Sequence, residues 1–118
     1  MSPGSILTPE QFVACACFSS PDRSLERLSE LGMDENFAEI SLLTCSLCGQ
    51  PWLRYFYEVE AFTASGRWYL GAISQEQASL LTTQNAKATL ESLSWYFYGG
   101  SYFGGVTGRS SGKIYLNP

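Results

Sequence analysis

The sequence predicts a small α+β domain with an antiparallel sheet centred on a β-hairpin over residues 52–73. Three observations predict this class: alternating aromatic and polar residues in the hairpin, leucines repeating every three residues before it, and apolar residues at helical spacing after it. The chain has 118 residues, 45% of them hydrophobic, which is enough for one buried core. We therefore expect a single domain over 1–118, with 1–7 and 101–112 flexible or irregular.

Two helices are predicted on the N-terminal side of the sheet. The first begins with Thr8 as its cap and Pro9 at the first helical position, and it is short because Pro21 disfavours helix in the residue before it. The second covers 21–31, where an apolar stripe recurs every three residues and a glycine follows. The stripe is Leu25, Leu28 and Leu31, and the glycine is Gly32.

The predicted sheet begins where the apolar period changes to two. Residues 37–44 alternate between apolar and polar side chains, which indicates a strand that leads into Cys45. Residues 52–62 form the next strand, which is rich in aromatic and β-branched side chains. A turn ending at Gly66 leads into a partner strand over 67–73, which completes the hairpin.

Two further helices are predicted after the hairpin. Ser74 and Gln77 have the spacing of a capping box, which indicates a short helix near 75–81. A longer C-terminal helix over 84–97 has one apolar face that packs against the hairpin. That face consists of Ala86, Leu90, Leu93 and Phe97. In the tail, residues 113–116 alone have a strand pattern.

Charge and composition exclude several classes of function. The formal net charge of −4 argues against a nucleic-acid partner, because that binding depends on Lys and Arg neutralising phosphates. No apolar run reaches the roughly 18 residues that cross a bilayer, and no signal peptide is evident, so we expect a cytoplasmic protein with no membrane partner.

The chain has no histidine, the usual proton shuttle, and Glu58 and Glu60 fit a solvated strand face better than a catalytic pair. We expect no enzymatic activity.

Cys45, Cys48 and Gly49 form the most specific motif of the sequence, Cys-x-x-Cys-Gly. Glycine after the second cysteine permits a backbone conformation in which amide groups approach the thiolates. The segment over 42–56 resembles the zinc knuckle of zinc-ribbon and rubredoxin-like proteins. This resemblance implies that Cys45 and Cys48 bind a metal ion.

A structural zinc site needs four ligands, and in a chain without histidine the remaining soft ligands are Cys15 and Cys17. Both can bind one ion only if the chain leaves its helix near Ala14, because helical residues two apart face different directions. We therefore predict a zinc ion held by Cys15, Cys17, Cys45 and Cys48. Iron in place of zinc, unligated buried cysteines, a redox pair and structural disulfides are the alternatives.

Charged and aromatic residues are unevenly distributed, which suggests surfaces for a protein partner. Residues 1–60 carry a net charge of −6, whereas residues 61–118 carry +2. The acidic region over 22–39 is either a solvated face or a docking surface for a basic partner. The aromatic region over 95–103 is either core or an exposed patch. The candidate contact residues are Asp22, Glu26, Glu30, Trp95 and Tyr98.

These features favour a non-enzymatic protein-interaction module with a structural zinc site. An inhibitor or immunity-type protein is one concrete form of such a module. The alternatives are a thiol-redox protein that uses Cys45 and Cys48, or a structural subunit of a larger assembly. The glycine-rich loop over 104–113 departs from the phosphate-loop pattern, so anion binding by Arg109 and Lys113 is a minor alternative there.

Overall fold

A computed structural model describes residues 15–19, 25–59 and 63–116. Within these residues, six antiparallel strands form one sheet, in which neighbours along the chain are also neighbours in space. The strands are β1 (Leu25–Met33), β2 (Glu39–Cys45), β3 (Pro51–Tyr57), β4 (Arg67–Ala72), β5 (Tyr96–Gly99) and β6 (Gly108–Ser110). The α-helices are α1 (Gln75–Leu80) and α2 (Ala86–Ser92), and the 3-10 helices are Ala16–Phe18 and Ser101–Phe103.

The expected α+β class with N-terminal helices is wrong, because the described residues form a mostly β domain with two short α-helices. The hairpin at the centre of the sheet is confirmed, with Trp52 paired to Ala72 and Tyr57 paired to Arg67. The strand expected over 37–44 is also present, as β2. Ser74 and Gln77 form the expected capping box at the start of α1. None of the described helices is long and apolar enough to cross a membrane.

The helix expected over 21–31 is replaced in its described part by β1, an edge strand of the sheet. The pairing of β1 with β2 is interrupted at Leu28 and again at Leu31. The three leucines do not share a face of this strand. Leu25 packs with the buried cluster around Trp52, Leu31 packs with the cluster around Tyr55, and Leu28 is 62% exposed. The repeat of three is therefore not an apolar stripe, and bulges of this kind break the regular period of two that would have identified a strand.

The helix expected over 84–97 is too long. The helix α2 ends at Ser92, and the chain then forms β5, which lies between β4 and β6. Consecutive aromatic residues suit a strand, because successive side chains point to opposite faces of the sheet and both faces are covered here. The strand expected over 113–116 is not formed, and β6 instead lies at Gly108–Ser110, in a range where we expected irregular structure.

The sheet has a core on each side. On one side, called the helix face, α1 and α2 contact β3, and α2 also contacts β4. Its buried residues include Ile40, Leu53, Tyr55, Tyr69, Leu90 and Tyr96. On the other side, called the cysteine face, the segment 15–19 packs on the sheet. The buried residues there are Cys17, Phe18, Leu43, Cys45, Trp52, Leu70 and Phe97.

Several of the sequence predictions fall outside the described residues. They are the flexible or irregular structure expected over 1–7, the first helix near Thr8, residues 21–24 of the second helix, the candidate contact residue Asp22, and residues 60–62 of the strand expected over 52–62. Within the described part of that strand, β3 ends at Tyr57.

Candidate metal centre

Four cysteine side chains meet on the cysteine face. The Sγ atoms of Cys15, Cys17, Cys45 and Cys48 all lie within 4.8 Å of one another. Two come from the segment 15–19, one from the end of β2, and one from the turn that follows β2. Among the residues that the structure describes, this is the one group of three or more candidate ligand side chains placed closely enough to hold a metal ion.

The turn after β2 brings Cys45 and Cys48 to the same side. The amide of Gly49 donates to the carbonyl of Cys45 at 2.8 Å. Gly49 has φ +79°, a backbone conformation that residues with a Cβ atom rarely adopt. The amide of Leu47 also donates to the Sγ of Cys45, at 3.4 Å. Glycine and the two-residue spacing thus close the turn and supply a backbone donor to one sulfur.

The segment 15–19 contributes its two cysteines because it is not an α-helix. It forms a 3-10 turn in which the amide of Phe18 donates to the carbonyl of Cys15 at 3.0 Å. The ring of Phe18 is buried against Trp52, with ring centroids 5.3 Å apart. Arg109 of β6 donates from its guanidinium to the carbonyl of Phe18. Apolar packing and this hydrogen bond therefore hold Cys15 and Cys17 over the sheet.

The distances between the sulfur atoms suit a metal ion better than disulfide bonds. Cys15 and Cys45 have their Sγ atoms 3.8 Å apart, and Cys17 and Cys48 have theirs 3.7 Å apart. A disulfide requires about 2.05 Å. With zinc–sulfur bonds of about 2.3 Å, each edge of a tetrahedral four-sulfur site is about 3.8 Å. These two distances match the edge of such a site, and no pair of the four sulfur atoms is farther apart than 4.8 Å.

Burial makes a thiolate at this centre unfavourable unless a cation is present. Burial, with additional contributions from hydrogen bonds to the other cysteines, raises the pKa of Cys17 well above its usual value. Burial also raises the pKa of Cys48, whose sulfur contacts the cluster although the residue as a whole is exposed. A bound metal ion reverses this balance, because it favours the deprotonated thiolate ligands.

Trp52 has a buried hydrogen-bond donor that fits a charged sulfur. The residue is completely buried, and its Nε1 makes no hydrogen bond of normal geometry within the described residues. It still lies close enough to Cys17 for a weak hydrogen bond, which lowers the pKa of that thiol against the larger effect of burial. A thiolate at Cys17 is a stronger acceptor than a thiol, so the donor group and a metal-bound cluster are mutually consistent.

Sequence reasoning missed Trp52 and Arg109 as parts of this centre. A signal for Trp52 was present, because a turn between Cys45 and Gln50 makes Leu43 pair with Trp52 and places Trp52 on the same face as Cys45. No local signal identifies Arg109, since its contact with Phe18 joins residues 91 positions apart.

The proposed partner-contact residues are in different environments. Glu26 and Glu30 are exposed on β1, and Glu30 pairs with Arg27 at 2.9 Å. Trp95 is half-buried, with the guanidinium of Arg109 4.3 Å from its ring centroid. Tyr98 is also half-buried and packs on Phe103, with ring centroids 4.6 Å apart. These two aromatic residues contribute at least partly to packing.

Comparisons of the chain with protein-family models, with curated proteins and with solved structures find no match. The resemblance of residues 42–56 to a zinc knuckle is therefore not supported by any relative. What the structure adds is a cluster of four cysteines that could hold a metal ion.

Proposed function

We propose that this protein is a small non-enzymatic interaction module in which a structural zinc ion is bound by Cys15, Cys17, Cys45 and Cys48. The observation that carries the proposal is the approach of the four Sγ atoms to within 4.8 Å of one another. Four thiolates complete a tetrahedral zinc site and leave no position for a substrate or water. A structural role follows from this closed ligand set.

The local structure favours a structural site over a thiol-redox site. A reactive dithiol usually has a cysteine with a lowered pKa, often at the start of a helix. Cys45 and Cys48 instead lie in a turn between two strands, and burial raises the pKa of Cys48. The proposed zinc ion joins the segment 15–19 to the turn after β2, across the cysteine face.

The proposed partner is a protein that binds away from the zinc ion. Glu26 and Glu30 support this part of the proposal, because they are exposed on an edge strand where they can meet basic side chains. Trp95 and Tyr98 are secondary candidates because they are half-buried.

Metal content tests the zinc site directly. We expect protein purified under reducing conditions to contain one zinc ion per chain by elemental analysis and native mass spectrometry, because the four thiolates form one closed site. Cys45→Ser should lose the ion and lower the melting temperature, whereas Ser46→Ala, in the same turn, should change neither. A folded, metal-free wild-type protein whose Cys45→Ser variant is equally stable would overturn the proposal, and bound iron would correct the metal.

A further inference from the structure

Phe37 is a large apolar residue that is exposed to water and has a backbone conformation unfavourable for a bulky side chain. The residue is 76% exposed. It also has φ +64°, in the left-handed region that favours glycine or asparagine over bulky residues. Neither burial nor backbone preference therefore explains a phenylalanine at this position.

The turn that carries Phe37 is firmly built. The amide of Phe37 donates to the carbonyl of Asp34 at 3.0 Å, and the amide of Asp34 donates to the carbonyl of Ala38 at 3.1 Å. The carboxylate of Asp34 accepts from the amides of Asn36 and Ala38 and from the hydroxyl of Tyr55. The ring of Phe37 is thus presented on a pre-organised turn, which lowers the entropy cost of using it in binding.

The surroundings of Phe37 are apolar and acidic. Met33, at the end of β1, is 56% exposed. Residues 34–39 contain three acids and no base, and Glu35 and Glu39 are exposed. A complementary surface needs an apolar pocket with a positively charged rim.

The same chain has such a pocket on the helix face, beside β5 and β6. The cavity has a volume of about 420 Å³, and its aromatic lining is Tyr69, Tyr96, Tyr98, Tyr102, Phe103 and Tyr115. Arg109 and Lys113 also line it, and no acidic residue does. The guanidinium of Arg109 lies on the cysteine face, against Trp95 and bonded to the carbonyl of Phe18. The exposed Lys113, which also attracts the carboxylate of Glu91, therefore supplies the positive charge at the rim of the cavity.

We propose that Phe37 is an anchor for self-association, and that it inserts into the aromatic cavity of a second copy of this chain. Glu35 and Glu39 of one copy then face Lys113 of the other. This interface requires neither the zinc ion nor a foreign partner, so it goes beyond the function proposed above.

Sedimentation equilibrium over protein concentrations up to about 1 mM tests the proposal. The wild-type chain should associate reversibly. Phe37→Gly should weaken association about tenfold or more, because it removes the anchor, while keeping or raising the melting temperature, because glycine suits φ +64°. Ala64→Gly is the matched control, since Ala64 has φ +58° in another exposed turn and its replacement should leave association unchanged.

A charge exchange tests whether the cavity beside Lys113 is the surface that receives Phe37. Lys113→Glu should weaken association, and adding Glu35→Lys to that variant should restore it in part. Zinc content should stay at the wild-type value in all four variants, which separates this interface from the metal centre. A wild-type chain that is monomeric throughout, or association insensitive to Phe37→Gly, overturns the proposal. If Phe37→Gly weakens association but the charge variants do not, then Phe37 binds a surface other than this cavity. That result would overturn the assignment of the cavity as the binding site.

Discussion

At the level of single residues, Trp52 connects the cysteine cluster to the sheet. Its buried Nε1 makes no hydrogen bond of normal geometry among the described residues, and its weak interaction with Cys17 lowers the pKa of that thiol. We predict that Trp52→Phe lowers zinc affinity by about tenfold, because groups that donate to metal ligands commonly contribute 10–100-fold to affinity. Competition with a chromogenic chelator measures this change.

Trp95→Phe provides the control for lost packing. Trp95 belongs to the same aromatic cluster as Trp52, with ring centroids 6.4 Å apart, and its replacement also removes an indole. It should reduce stability without a comparable loss of zinc affinity. Equal zinc affinity in wild type and Trp52→Phe would show that the indole donor is irrelevant to the site.

The sequence was informative about residues whose chemistry is rare and less so about those whose role depends on distant contacts. Four cysteines and no histidine led to the four side chains that the structure brings together. Phe37 could not be identified in this way, because its significance lies in a positive φ and in exposure. Both depend on the turn that Asp34 organises.

At the level of elements, the hairpin and β2 could be predicted because their apolar period of two is regular. The strand β1 could not, since two bulges interrupt its pairing and its leucines are divided between the two faces of the sheet and solvent. For β5, the helical spacing of Ala86 and Leu90 continues into residues that belong to a strand. Periodicity does not show where one element ends, and the place of β5 between β4 and β6 is decided by long-range pairing.

The contact between α2 and the sheet depends on Gly71 of β4. A Cβ atom at this position would lie 2.4 Å from Cδ1 of Leu93 and 2.7 Å from Cδ2 of Leu90. We predict that Gly71→Ala destabilises the protein by about 1–3 kcal/mol, because a tightly packed core resists an added methyl group. Chemical denaturation measures the change in the free energy of unfolding.

A double-mutant cycle with Leu93→Ala separates this clash from other effects of the alanine. If the two side chains collide, Gly71→Ala should cost less in the Leu93→Ala background than in the wild type. Equal costs in the two backgrounds would show that Leu93 does not lie against Gly71.

At the level of the whole molecule, the two faces of the sheet are stabilised by different means. Helices α1 and α2 bury the helix face through apolar side chains. In its described part, the cysteine face is covered by residues 15–19, whose position depends on Phe18, Arg109 and the cysteine cluster. A metal ion bound by the four cysteines would stabilise this face further, because it would join residues 15–19 to the turn after β2.

Chelation of the metal should therefore loosen the molecule unevenly. Hydrogen exchange after chelator treatment should show early loss of protection in residues 45–50, because the turn there is closed around Cys45 and Cys48. The segment 15–19 should follow the same course, and β6 should weaken next because Arg109 loses its acceptor on Phe18. The strands β3 and β4, together with α2, should stay protected longest, since these strands are central in the sheet and α2 packs on them on the helix face. Cys48→Ser should reproduce this pattern without chelator. Uniform loss of protection would instead mean that both faces unfold as one unit, and unchanged protection would mean that the cysteine face is stable without metal.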